Sequence, residues 1–263
     1  MGAVYPAGAI RVQGETLSLS STLASLGAPR NAYQAILYNP ATDFRLHLNP
    51  AIVAVLFYDA SNSAGARFES ASGSGVSLTQ DLTDRDTGTG TGTAMDSSTT
   101  SDFLYVCLSD VSGGLRAVIG SANGSAAGLD VEYRKNDDTW AALADTDGTD
   151  SGGATLAVTG SITWTAPTDW KRAILGGPSG IVTDADAPPI EGFWLRLSWD
   201  AALDSDTEID EIWALNKNTS RGYFRAGKEY ELSLDRRNVG ALEAALASGT
   251  DTLEVTWIVT GGV

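Results

Sequence analysis

Short runs rich in Val, Ile, Thr, Tyr, Phe and Trp recur along the chain between clusters of Gly, Asn, Asp and Ser, and helical periodicity is almost absent. Runs of that length bounded by turn residues predict an all-β protein. Before residue 80 the predicted strands are 9–12, 15–19, Ala32–Tyr38, Phe44–Leu48, Ile52–Tyr58, 67–70 and 75–78. Asn39 with Pro40, Asn49 with Pro50, and Ser61 to Ser63 supply the turn chemistry between them. From Asp81 the sequence becomes Thr, Gly, Ser and Asp, and Thr87 to Thr93 is a plain Thr/Gly alternation. Such a segment has nothing to bury, so 81–101 is expected to be a linker or long surface loop.

After it come Phe103–Leu108, 116–119, 128–134, 140–143, 154–158, 161–164, 193–199 and Glu208–Leu215, with six of the chain's seven Trp among or beside them. That many short strands with aromatic anchors predicts a two-sheet, jelly-roll-like sandwich over 102–215. Beyond Asn216, 230–234 and 253–259 read as strands, while 235–247 reads as one short C-terminal helix. Val239, Leu242 and Leu246 share its face, Asp235 or Asn238 caps it and Gly249 stops it. These last residues are too few for a domain of their own. They are expected to join 1–80 in a discontinuous β anchoring domain into which the sandwich is inserted.

Composition narrows the function classes. The chain has 263 residues and 27.4 kDa, with a net charge of −16 and a sequence pI near 4.3. Direct nucleic-acid binding is not expected, because neutralising phosphates needs a basic surface. One Cys and one His exclude a disulfide framework and a Cys/His zinc site. The longest apolar run, 51–58, is far short of the roughly 20 residues that span a bilayer. No export signal is visible in residues 1–10, so the expectation is a soluble protein made in the cytoplasm of its host.

Few residues offer chemistry. Asp145, Asp147 and Asp150 surround Gly148, and alternating carboxylates at a glycine turn can converge on a hard cation such as Ca²⁺. They do not keep an EF-hand spacing, and an acidic hairpin loop is the simpler expectation. His47 lies between Leu46 and Leu48 with no Gly-x-Ser-x-Gly elbow anywhere, and Cys107 sits inside an apolar strand with no basic neighbour in sequence. The remaining acids cluster in loops such as 136–138, 184–186 and 204–206, where solvation accounts for them, so no catalytic residue and no cofactor is assigned. Alternation puts Phe193, Leu195, Leu197 and Trp199 on a core face and leaves Trp194 opposite, with Arg196. Trp194 and Trp170 are therefore the candidate stacking platforms for a sugar. Arg221, Arg225, Arg236 and Arg237 are the basic concentrations suited to docking on an acidic neighbour, and residues 1–12, with Tyr5, form a candidate docking arm.

The central segment resembles a β-sandwich module of structural proteins of tailed bacterial viruses. The residues that carry the likeness are Phe103 to Val106, Asn123 to Ser125, Val131 to Tyr133, Trp140, Asp147 to Thr149, Ile162 to Trp164 with Pro167 and Trp170, Phe193 to Leu197, and Glu211 with Ile212. The resemblance implies a non-enzymatic virion component at the particle surface, first of all a capsid decoration or cement protein bound to the major capsid protein. A neck, tail or fibre component is the near alternative, and a glycan-binding adhesion module the alternative from another class. A homo-oligomer, trimeric or larger, and other virion subunits as partners go with that reading.

Overall fold

A computed structural model describes residues 10–20, 24–25, 32–48, 50–69, 77–83, 92–96, 98–215, 223–233, 242–246 and 250–260. The fold is all-β, with several antiparallel sheets and, among the described residues, one four-residue helix. The chain divides into two compact units: residues Met1–Asn49 with Thr219–Val263, and Pro50–Asn218. No helix among the described residues is long and apolar enough to cross a membrane.

The strands in chain order begin with β1 (Ile10–Ser20), β2 (Ala24–Ser25), β3 (Ala32–Tyr38) and β4 (Phe44–Leu48). Next come β5 (Ile52–Tyr58), β6 (Phe68–Glu69), helix α1 (Leu78–Asp81), β7 (Thr93–Ala94), β8 (Phe103–Leu108), β9 (Gly114–Ser121), β10 (Leu129–Arg134) and β11 (Trp140–Ala142). They are followed by β12 (Thr146–Asp147), β13 (Gly160–Thr163), β14 (Arg172–Ile174), β15 (Glu191–Trp199) and β16 (Glu208–Leu215). The last are β17 (Tyr223–Phe224), β18 (Glu229–Ser233), β19 (Leu242–Leu246) and β20 (Thr250–Thr260).

Among the described residues, the unit formed by 1–49 and 219–263 has two four-stranded sheets, in the orders β1-β20-β3-β18 and β17-β4-β19-β2. In β20, Leu253, Val255, Trp257 and Val259 are buried while Thr252 and Glu254 are exposed, the alternation expected of a strand with one face on a core. Asn39 closes the turn after β3: its Oδ1 accepts from the amides of Ala41 and Thr42, and its Nδ2 donates to the Thr252 carbonyl at 2.9 Å. The helix expected at 235–247 is corrected over Leu242–Leu246. That segment is β19, paired with β4 from Leu242 opposite Leu48 to Leu246 opposite Phe44, and with β2 on its other side. Its Ala-rich sequence is a good helix former, but two neighbouring strands offering backbone partners override the propensity.

In the inserted unit a sheet ordered β11-β10-β15-β8-β5-β6, with β14 added beside β15, faces a second sheet ordered β12-β13-β9-β16-β7. Consecutive strands β8, β9 and β10 alternate between the two sheets, as do β15 and β16, so the sandwich is stitched together by crossing connections. Leu104, Val106, Val131, Leu195, Leu197 and Trp199 of the first sheet and Leu115, Ile162, Ile209 and Ile212 of the second form one buried core. Trp164 seals it and donates its indole N–H to the Ser112 carbonyl at 2.9 Å.

Three sequence expectations move. Residues 50–58, expected in the anchoring domain, belong to the sandwich as β5, which pairs with β8 from Ile52 opposite Leu108 to Tyr58 opposite Phe103. The segment 81–101, expected as a linker, contributes β7 against β16, and Leu82 and Met95 are buried in the sandwich core. Two apolar residues were enough to anchor a stretch otherwise made of small polar ones. The strand expected at 154–158 is a turn instead: the Thr149 side chain accepts from the Leu156 amide, the Thr149 carbonyl accepts from those of Ala157 and Val158, and Leu156 sits at φ 55°.

Candidate functional site

The pleat of the larger sheet gives it two faces of different character. Inward residues make the core; outward ones are Tyr58 from β5, Phe68 from β6, Phe103, Tyr105 and Cys107 from β8, Trp194 and Arg196 from β15, Glu132 and Arg134 from β10, and Trp140 from β11. Alternation places them there because each is two residues from the next along its strand. Antiparallel register then lines up Glu132, Arg196, Tyr105 and Leu56 across four strands.

One half of this outer face is covered. Leu175, Ile181, Val182 and Ile190 pack over Trp194, Cys107 and Ala54. Backbone bonds from Leu175 to the Ile190 carbonyl and from Val182 to the Leu175 carbonyl hold that covering segment together, and Asp184 and Asp186 fasten it to the β6 region. The Asp184 carboxylate accepts from the Gly65 amide and from Arg67 Nη1, and Asp186 accepts from the Phe68 amide at 2.7 Å. The Gly65 amide and the Arg67 guanidinium hold the Asp184 carboxyl below the usual carboxylate range.

Among the described residues no such segment covers the other half, which is aromatic. Tyr58, Phe68, Phe103 and Trp140 are half-buried around a buried Tyr105. Ring centroids lie 5.1 Å apart for Tyr58 and Phe68, 6.0 Å for Tyr58 and Phe103, and 5.8 Å for Tyr105 and Trp140, in edge-on or tilted arrangements. The Arg196 guanidinium is sandwiched, 4.8 Å from the Phe103 centroid and 4.7 Å from that of Trp140, and its Nε donates to Glu132 Oε2 at 2.6 Å. Arg67 stands 5.9 Å from the Tyr58 centroid and donates to the Tyr58 hydroxyl. Burial pushes the Tyr105 phenol up, against the lowering influence of Arg196.

The residues singled out by the sequence are not brought together. Trp194 is fully buried under the covering segment, with its indole N–H on the Ala173 carbonyl, and Trp170 is buried against Tyr133 and Phe193, with its indole N–H on the Trp194 carbonyl. Neither presents a ring to a ligand, which corrects the expectation for both. Asp147 is spent on its own loop: Oδ1 accepts from the Thr149 amide and hydroxyl, and Oδ2 from the Thr155 hydroxyl at 2.6 Å. Asp150 makes a long bond to the Gly153 amide, and burial pushes the Asp145 carboxyl up, with Asp147 and Asp130 adding to it. The three form an acidic hairpin loop, and among the described residues no group of three or more His, Cys, Asp or Glu side chains is placed to hold a metal ion. Arg225 is exposed beside Asp43, at 2.9 Å. Tyr5, Arg221, Arg236 and Arg237 lie outside the described residues. Sequence reasoning missed Tyr58, Phe103 and Trp140; the available signal was the outward parity they share with Arg196 and Glu132, but strand order is needed to assemble it.

Fold and site together define an all-β protein with an antiparallel sandwich that carries an arginine-threaded aromatic face. No protein-family model matches the chain, and no curated protein matches it significantly.

Proposed function

We propose that the chain is a non-enzymatic structural subunit of a virus particle, a capsid decoration protein whose discontinuous unit anchors on the shell and whose inserted sandwich is the displayed module. The observation that supports this reading is the division of the chain. Both ends build one unit, and the sandwich is a single continuous insertion from Pro50 to Asn218, so one part can be held by neighbours while the other carries a separate surface. The resemblance of the sandwich to tailed-virus structural modules points the same way. Binding of this kind works by interface area repeated over a symmetric lattice, with each copy adding a modest free energy. A head-shell partner, a homo-oligomer and a location on the particle surface belong to the proposal.

The test is immunogold electron microscopy of particles from a lysate of the source organism, with antibody raised against the full recombinant chain. Regular label over the head is the expected result. Label confined to neck, tail or fibre would keep the virion reading and replace decoration by assembly or attachment, and particles without label would overturn it.

A further inference from the structure

The open half of the outer face has features that a core does not need. Its rings are only partly buried, a guanidinium lies close to the centroids of two of them, at 4.8 and 4.7 Å, and a carboxylate holds that guanidinium by its Nε. A pyranose matches such a surface: its C–H faces stack on rings, and its hydroxyls, which both donate and accept, meet a guanidinium that donates and a carboxylate that accepts. Arg196 gives Nε to Glu132 and a further N–H to the Tyr105 phenol, which leaves a five-donor guanidinium with more to offer, and the Glu132 carboxylate has a second oxygen. Charge decides the kind of sugar. Arg196 is matched by Glu132, Arg67 by Asp184 and Arg134, which lies by the Trp140 ring, by Asp138 at 3.6 Å, so each of these cations on the face already has its anion, and the chain as a whole carries −16. An anionic ligand would have to displace an internal partner and approach against that field, whereas an uncharged one meets neither cost.

We propose that the face formed by Tyr58, Phe103, Trp140, Arg196 and Glu132 is a binding surface for a neutral glycan, with sugar rings lying on the aromatic rings and hydroxyls held by the Arg196–Glu132 pair. The covering segment that buries Trp194 bounds this surface on one side, which limits it to a short stretch of saccharide. The inference stands apart from the particle reading: it concerns the isolated chain in solution, and either holds without the other.

Titration of the full chain with neutral oligosaccharides of glucose, galactose, mannose and N-acetylglucosamine, followed by tryptophan fluorescence and calorimetry, tests it. At least one of them is expected to bind and to perturb the emission. Affinity should fall tenfold or more in Trp140→Ala and in Glu132→Gln, and stay unchanged in Trp213→Ala, whose half-buried ring lies by Arg116 on the other sheet. Glu132→Gln carries the test if Trp140→Ala does not fold. Absence of binding by the whole panel to folded protein would overturn the proposal. So would binding that survives in Glu132→Gln, or binding confined to sulfated or sialylated sugars in a parallel titration.

Discussion

The two faces of the larger sheet are made by the same strands and differ in what their side chains touch. Inward, Leu104, Val106, Leu195, Leu197 and Trp199 meet apolar side chains of the second sheet, Leu115, Ile162, Ile209 and Ile212. Outward, the residues one step away along those strands are Phe103, Tyr105, Trp194 and Arg196, and the aromatic rings there are interleaved with paired charges. The inner face packs on the second sheet; the outer face forms a smaller cluster, covered by the 175–190 segment over Trp194 and closed around the buried Tyr105 by partly buried rings and ion pairs. Equal chemical insults to the two faces must therefore have unequal costs.

The largest difference is expected between two tryptophans. Trp164→Ala removes a ring buried to 5% exposure and orphans the Ser112 carbonyl, which should cost about 3–5 kcal/mol. Trp140→Ala removes a ring that is only partly buried and should cost under about 2 kcal/mol. Urea denaturation of both variants measures it, and equal losses would mean that the outer face is as much a core as the inner one.

Gly192→Ala probes the covered half. A Cβ there would stand 2.3 Å from Cys107 Sγ and 2.8 Å from the Leu108 carbonyl, and the carbonyl is backbone that cannot swing aside. A loss of about 1–3 kcal/mol is expected in the same denaturation assay. Full stability would show that β8 and β15 can separate, and that the cover over Trp194 is loose.

Cys107 gives a pH-dependent version of the same question. Burial pushes its thiol up to about 12, against the influence of Arg172, whereas in the unfolded chain it ionises near about 8.5. The folded state therefore keeps the proton when the unfolded state gives it up. The associated stability is complete below about pH 8.5 and is lost as pH rises toward the folded value. Between pH 8 and 10 the wild type should lose up to about 2 kcal/mol relative to Cys107→Ala, whose own curve lacks this slope. Parallel curves would place the thiol in contact with water, against its full burial.

Much of the fold was legible because one-sided strands announce themselves. β3, β4, β5, β8 and β16 fall on the predicted residues, and the buried Leu253, Val255, Trp257 and Val259 of β20 are the odd positions of a sequence alternation. What failed was local ambiguity. Leu242 and Leu246 are four apart, which suits a helix, yet with Ala244 they are also spaced by two, and only the presence of β4 and β2 decides. β7, β12, β14 and β17 have two or three residues each and carry no periodicity to read. The parity of Trp194 was legible and its burial was not, because alternation reports which way a side chain points and is silent on whether a segment such as 175–190 returns to cover it. The open aromatic face needed more: Tyr58, Phe103 and Trp140 are far apart in sequence and meet only through the strand order β11-β10-β15-β8-β5.

The smallest effect belongs to the pair that threads the open half. Glu132 and Arg196 are each 23% exposed in their side chains and lie 2.6 Å apart, so water screens the attraction between them and Glu132→Gln should cost under about 1 kcal/mol. The amide still fills the space and still accepts a hydrogen bond, but it no longer neutralises the guanidinium held between Phe103 and Trp140. Small cost with loss of saccharide affinity is the signature of a face built for contact with something else. A loss of about 3 kcal/mol or more would be that of an uncompensated buried charge, and would return Arg196 to the fold, as the polar seal of a second core.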